Sequence, residues 1–171
     1  SGQPQGLITG LAAASPSVTE NGQGSEALDP ADPFILQNKL PARFSPRAVW
    51  MSHIATKNAF AQMETSNGAL QFPELRQSPA MLLGKPWHEN SNMDGAINTG
   101  ATEDNYLLVY GDFQAGFIIA DRIGATLEIL PAYGSTGQRP TGQRHAFLTF
   151  RTGSAVVIPG AFRLLNVATT A

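Results

Sequence analysis

Three histidines are the residues best suited to metal binding or proton transfer, but their spacing supports neither. His53, His88 and His145 are far apart, and His88-Glu89 lacks the second histidine four residues after the first that a helical zinc motif requires. A lone histidine at the end of a helix or strand is usually structural. The chain contains no cysteine, which excludes disulfides and thiolate metal sites. We therefore predict no metal site and no cofactor.

Glycines and acids are the next candidates for chemistry. Residues 22–27 match a loose dinucleotide-binding pattern, but they follow a polar stretch instead of a buried strand and open no clear helix, so they predict a flexible loop. Neither a P-loop lysine motif nor a Gly-x-Ser-x-Gly elbow occurs. Asp112, Asp121 and Glu128 could pair for acid–base catalysis, but 13 acids make such coincidences common. No nucleophile, base and orienting group can be named, so we predict that the protein is not an enzyme.

Two arginines in the only internal repeat are candidates for contacts between subunits. The pattern Thr-Gly-Gln-Arg occurs twice, ending at Arg139 and at Arg144. A guanidinium group can bind a carboxylate or a phosphate of another chain through paired hydrogen bonds. A solvated loop is an equally good interpretation of the same residues, and the sequence leaves both open.

The composition indicates one main domain with an unusual surface. The chain has 171 residues, of which only 14% are charged, against roughly a quarter in an average soluble domain. Low charge suits a surface that is buried against partners, and it also suits a secreted β-rich domain. A net charge of −2 provides no basic field for nucleic acid. No apolar run approaches the roughly 20 residues that span a bilayer, so we expect no membrane partner. Nothing at Ser1 resembles a signal peptide, and we expect this start to be a cut end.

The first half of the chain predicts helices joined by glycine- and proline-rich loops. Asp32 is a candidate N-cap before Pro33, for a short helix that ends near Leu40. A buried strand is expected over residues 48–52. It leads into a helix over residues 53–64 that Ser52 caps.

The second half of the chain predicts strands. Residues 90–103 are polar and are expected to form an exposed, mobile loop with few anchors. The segments 106–110, 117–121 and 125–130 suit a compact meander, and the alternation over residues 144–152 suits a half-buried strand. Further strands are expected over residues 155–158 and 161–167. Helices and strands without regular alternation predict an α+β fold, and Trp50, Phe60 and Phe162 are expected in its core.

Several short segments resemble the C-terminal half of the major capsid proteins of tailed bacteriophages, whose fold is shared with encapsulins. Their order and spacing cover nearly the whole chain. In sequence order they are Gly2-Gln-Pro4-Gln-Gly6-Leu7, Ala48-Val49-Trp50-Met51-Ser52, Met81-Leu82-Leu83-Gly84-Lys85-Pro86, Tyr110-Gly111-Asp112-Phe113 and Arg151-Thr152-Gly153-Ser154-Ala155-Val156.

The resemblance implies a phage-capsid-like axial domain over residues 1–143, with a central mixed sheet flanked by helices. Residues 144–171 would contribute strands to an incomplete peripheral domain. The family's N-terminal arm, long hairpin loop and spine helix cannot be read in this chain, so we expect a C-terminal fragment. Some members cross-link subunits through an asparagine on the closing strands, but residues 144–152 contain none, and no cross-link is expected.

By this resemblance the protein is a structural subunit of an icosahedral virion capsid, assembled in the bacterial host cytoplasm. Its partners would be other copies of itself in pentamers and hexamers, with scaffold and portal proteins as further candidates and packaged DNA contacted only indirectly. One alternative is an encapsulin-like cargo shell. A second is a β-rich carbohydrate- or cell-binding module that uses an exposed Trp87 or Tyr133.

Overall fold

The computed structural model describes residues 3–24, 26–131 and 144–170, which form an α+β fold with two sheets. The helices are α1 (Leu7–Ala13), α2 (Asp32–Lys39), α3 (Ile54–Gln62) and α4 (Phe113–Gly116), with 3-10 turns at Ser45–Arg47, Pro73–Arg76 and Pro159–Ala161. The strands are β1 (Thr19–Asn21), β2 (Val49–Ser52), β3 (Met81–Leu82), β4 (Lys85–Glu89), β5 (Asp104–Gly111), β6 (Phe117–Pro131), β7 (Arg144–Val156) and β8 (Phe162–Ala168).

The larger sheet is mixed and has the strand order β1-β8-β5-β2-β4-β3. Its centre is β5, which runs antiparallel to both β8 and β2. Residues 107–111 of β5 are all buried, because a central strand covered on both faces needs a continuous apolar run. Trp50 on β2 lies opposite Tyr110 on β5, and their rings stack with centroids 4.1 Å apart. Trp50, Phe60 and Phe162 are at most 1% exposed, which confirms their prediction as core residues.

The step from β2 to α3 is found as predicted, but its cap is not Ser52. The N-cap is His53, whose Nδ1 accepts a hydrogen bond from the Ala55 backbone N–H at 3.1 Å. Ser52 is buried within the sheet, where its Oγ accepts a hydrogen bond from Trp87 Nε1 at 2.9 Å. The capping prediction was wrong because the helix begins one residue later than expected, at Ile54, so His53 takes the cap position while the Ser52 hydroxyl points towards β4.

Asp32 begins α2 but does not act as its N-cap, which is Ala31. The Asp32 carboxylate instead accepts backbone hydrogen bonds from Gln23 and Asp29, both at 2.8 Å, and is fully buried. It thereby fastens the loop that precedes the helix. Burial raises the pKa of Asp32, and the two backbone hydrogen bonds oppose this rise only in part.

The predicted meander is wrong, because β5 and β6 lie in different sheets and the segments 117–121 and 125–130 belong to one strand, β6. The four-residue helix α4 separates β5 from β6, and the chain leaves the larger sheet there. The two segments 144–152 and 155–158 likewise share one strand, β7, as far as Val156. Only the closing strand returns to the larger sheet, as β8 beside β5.

Segment 90–103 contains no helix or strand, as predicted, but it does have anchors. Met93 is 5% exposed. The backbone N–H of Tyr106 donates to Asp94 Oδ2 at 2.8 Å, which ties the segment to β5. The expectation of few anchors was therefore wrong, and mobility of this segment stays a prediction.

The expected domain boundary at residues 143 and 144 falls between β6 and β7, which pair with each other along most of their length. The closing strand β8 lies in the larger sheet and not with β7. Strand pairing therefore groups residues 117–156 together and β8 with the first part of the chain. Which of these parts is axial and which is peripheral stays a prediction.

Candidate assembly surface

The smaller sheet is a two-stranded antiparallel ribbon formed by β6 and β7, and most of the large exposed hydrophobic residues within the described ranges lie on it. Leu127 pairs with Leu148, and Ile129 pairs with Ala146. Alternation along β7 places Phe150 on the same side as Leu148. We call the side that carries Leu127, Ile129, Leu148 and Phe150 the apolar face.

The apolar face is not covered by any described part of the chain. The exposed fractions of its four large side chains are 61%, 61%, 56% and 64%, in sequence order. Outside residues 118–158, only Phe34 and Met81 are large exposed hydrophobic residues within the described ranges. The prediction of a half-buried strand over residues 144–152 was therefore wrong for this chain by itself. Alternation identifies a face suited to burial, but burial depends on a segment that covers it.

The opposite side of the ribbon is mostly polar. Thr126 and Thr149 lie opposite each other, and their hydroxyl oxygens are 2.6 Å apart in a hydrogen bond. Glu128 lies opposite Phe147, an exposed apolar side chain on this side. The ribbon is thus amphipathic, as expected of a sheet with one face for a partner and one for water.

Energetics favour a partner on the apolar face. A two-stranded ribbon is marginally stable in water unless a third strand or a packed helix supports it. Covering one of these partly exposed side chains is worth roughly 1 to 2 kcal/mol. Contiguous exposed apolar residues of this kind mark interaction surfaces in soluble proteins. The face is therefore the strongest candidate for an assembly contact.

The base of the ribbon is joined firmly to the rest of the chain. The Gln5 backbone N–H donates to Ser154 O at 2.9 Å, and Ser154 Oγ donates to Gln5 O at 2.8 Å. The backbone N–H of Val157 donates to Gly116 O at 2.8 Å. A Cβ on Gly10 of α1 would lie 2.6 Å from Val156, so only glycine lets α1 approach β7 this closely.

Asp112 fixes the turn from which the ribbon leaves the larger sheet. Its Oδ1 accepts from the Ala115 backbone N–H at 3.1 Å and caps α4. Its Oδ2 accepts two hydrogen bonds from Arg47, at 3.0 and 2.9 Å. The Asp112 side chain is 2% exposed and that of Arg47 is 61% exposed, so water screens the ion pair and the geometry of the cap matters more.

Of the two arginines predicted to contact other subunits, only Arg144 lies within the described residues. Arg139 lies outside the described residues. Arg144 opens β7 opposite Pro131, is exposed, and lies at the outer end of the ribbon. Its role in subunit contact stays a prediction. Sequence reasoning missed Arg122 and Arg151, which line a shared depression with Phe150 in the middle of the ribbon. The sequence feature that could have identified them is an arginine within each of two mostly apolar strands.

The residues considered for chemistry are dispersed. His53 caps α3, while His88 is on β4 and His145 is on β7. Within residues 3–24, 26–131 and 144–170, no three His, Cys, Asp or Glu side chains come together as metal ligands would. Across these same ranges, no helix has the length and apolar character needed to cross a bilayer.

Trp87, suggested for carbohydrate binding, is not an exposed platform. It is half-buried, its Nε1 donates to Ser52 Oγ, and the Lys57 ammonium group lies 5.1 Å from its ring centroid. The Lys57 ammonium group thus occupies one face of the ring on which a sugar would have to stack. Tyr133 lies outside the described residues.

The described residues thus combine a mixed six-stranded sheet with a two-stranded ribbon that carries an uncovered apolar face. The sequence pattern of the phage capsid family matches residues 1–167, and the chain belongs to that family. The family is structural and non-enzymatic, and its members are components of the virion capsid. The predicted resemblance, the absence of enzymatic activity and the location in the virion are thereby confirmed.

Solved structures share the fold. The capsid of an empty GTA particle is 20% identical, with a TM-score of 0.74 over 96% of this chain and 55% of that one. The capsid of a native GTA particle is 21% identical, with a TM-score of 0.73 over 96% of this chain and 56% of that one. A structure from Gordonia phage Cozz is 18% identical, with a TM-score of 0.57 over 99% and 56%. The chain thus spans about 55% of the length of the first of these capsid chains. A comparison with curated proteins finds no match.

Proposed function

We propose that this chain is the part of a major capsid protein whose copies assemble as pentamers and hexamers into an icosahedral shell that encloses DNA. The observation that carries the proposal is the uncovered apolar face of the ribbon, on a chain that belongs to the phage capsid family. A shell subunit must bury surface against several neighbours, and closed assemblies repeat the same contacts by symmetry. A solitary protein would gain nothing from this face.

The larger sheet and the ribbon suit different positions in such a shell. We propose that the six-stranded part lies at the capsomer centre and that the ribbon reaches outwards to neighbouring copies. Two features support this assignment: the larger sheet holds the buried core, and the outer ribbon extends beyond it with both sides exposed. Arg144 at the outer end of β7, and Arg139 close to it in sequence, would then contact acidic groups of a neighbour.

A pair of phenylalanines on opposite sides of β7 provides the test. Phe150 lies on the apolar face and Phe147 on the polar side, and they are 64% and 54% exposed. Because both are exposed, Phe150→Asp and Phe147→Asp should each change the free energy of unfolding by less than about 0.5 kcal/mol. In the capsid protein, Phe150→Asp is expected to prevent shell formation, whereas Phe147→Asp should leave most of it intact.

Electron microscopy and nuclease protection measure the outcome. Closed shells that protect DNA support the proposal. Normal shells from the Phe150→Asp variant would refute a role for the apolar face, and equal loss in both variants would refute the assignment of the two sides. Shells that hold a folded protein cargo and no protected DNA would favour the encapsulin-like alternative.

A further inference from the structure

The pairing of the ribbon is interrupted in its middle. Asp121 pairs with Thr152 and Thr126 pairs with Thr149, so β6 advances five residues (126 − 121) while β7 advances three (152 − 149). The register shifts on both sides of Ile123. Two residues of β6 are therefore surplus within one short stretch, which makes a double β-bulge.

A β-bulge bends its strand, increases the local twist and leaves the extra residue without a ladder partner. Two bulges in succession weaken the pairing at one point along the ribbon. Gly124 lies within this stretch, and a Cβ added to it would have no atom within 4 Å. The depression lined by Arg122, Phe150 and Arg151 lies beside the bulge.

The hydrogen bonds that join the ribbon to Gln5 and Gly116 lie on the base side of the bulge. On the side of the base, Ser154 bonds to Gln5, and Val156 packs against the core. Beyond the bulge, residues 124–129 and 144–149 are exposed, and on the base side β6 is already exposed from Ile118 onwards. The outer ribbon carries the apolar face. The double bulge connects it to the base, so the geometry of the bulge sets the orientation of this face.

We propose that the double bulge between Asp121 and Thr126 is a hinge that lets the outer ribbon pivot relative to the base and the larger sheet. The role of this hinge in assembly rests on the proposed function. Copies in pentamers and in hexamers meet their neighbours at different angles, so a hinged contact surface can pack against a neighbour in either arrangement. The hinge itself is a property of the single chain and can be measured without a shell.

Deleting both surplus residues removes the hinge. Because two residues are removed, each residue beyond the bulge still faces the same side of the ribbon as before. Without Arg122, Asp121 and Ile123 become neighbours, as Thr152 and Arg151 are on β7. Without Gly124, a single residue separates Ile123 from Thr126, opposite Phe150 alone. The deletion variant thus has regular pairing. The matched control, Arg122→Ala with Gly124→Ala, changes the same positions but keeps both extra residues.

Pulsed electron–electron resonance between nitroxide labels measures the motion, and the absence of cysteine makes labelling clean. One label at Asn58→Cys on α3 is paired with Glu128→Cys on the outer ribbon, or with Ala155→Cys at the base, all three positions being exposed. Labelled chain is diluted with unlabelled chain, so that contacts between copies do not contribute.

We expect a broad distance distribution for the outer pair and a narrow one for the base pair. In the deletion variant the outer pair should become as narrow as the base pair, and in the alanine control it should stay broad. A narrow outer distribution in the unmodified chain would show a fixed bend and overturn the hinge. A broad distribution that persists in the folded deletion variant, with folding checked by circular dichroism, would overturn it as well. Failure of shells to form leaves these readouts unchanged, so it bears on the proposed function alone.

Discussion

Replacing Gly116 with alanine tests how closely the exit of the ribbon is packed against the closing strand. A Cβ at this position would overlap the Phe162 ring at Cε2 and would lie 2.7 Å from its Cζ. Phe162 is fully buried, and its ring packs edge-on against Phe113 with centroids 5.2 Å apart. The ring therefore cannot move aside without disturbing the core.

Overpacking a well-filled core costs about 1 to 3 kcal/mol, and an overlap with a fully enclosed ring belongs at the upper end. We expect Gly116→Ala to lower the free energy of unfolding by about 3 kcal/mol, which corresponds to a fall in Tm of roughly 6 to 12 °C for a chain of this size. Thermal and urea unfolding followed by circular dichroism measure both. Gly160→Ala is the matched control, because its Cβ would have no atom within 4 Å, and its change should stay within about 0.5 kcal/mol.

A double-mutant cycle identifies the cause. Phe162→Leu makes room for the new methyl group, so Gly116→Ala should cost at least about 1 kcal/mol less in that background. Gly111→Ala should not be rescued, because its Cβ would meet the Ala161 carbonyl oxygen and the Phe162 Cα, which are backbone atoms. The reasoning is refuted if Gly116→Ala melts like the unmodified chain, or if its cost is the same with and without Phe162.

Three further outcomes are expected. Trp50→Ala and Phe60→Ala should each lower the free energy of unfolding by about 3 to 5 kcal/mol, and a Tm shift below about one degree in both would contradict their place in the core. Burial raises the pKa of Asp32 above its ordinary value of 3.8. As the pH falls, the Asp32 carboxylate is therefore protonated at a higher pH in the folded chain than in the unfolded chain. The resulting stabilisation is complete below pH 3.8 and is lost as the pH rises through the raised pKa. In urea titrations Asp32→Asn should remove this dependence, and an unchanged pH profile would contradict the assignment. The chain of residues 1–171 should remain a monomer or small oligomer at micromolar concentration, with weak dimers formed through the ribbon edges, and closed shells seen by light scattering and electron microscopy would contradict this.

Local features of the sequence were sufficient for the core and for several elements. Trp50, Phe60 and Phe162 were identified as core residues because each lies in a short apolar segment, and all three are buried. The strand-to-helix step after Ala48 was recognisable from its change of periodicity. Its cap was misassigned, because which of Ser52 and His53 faces the first turn depends on where the helix begins.

The sequence by itself determined the α+β class, the turns, the core aromatic residues and, through the order of its motifs, the family. Tertiary structure alone decided that β8 inserts between β5 and β1, that β6 and β7 leave the larger sheet, and that Asp32 anchors a loop. The physical reason is that periodicity specifies which side of a strand is apolar, whereas pairing and burial depend on segments distant in the chain. No described segment covers the apolar face of the ribbon, so the same alternation that predicts burial is observed as exposure.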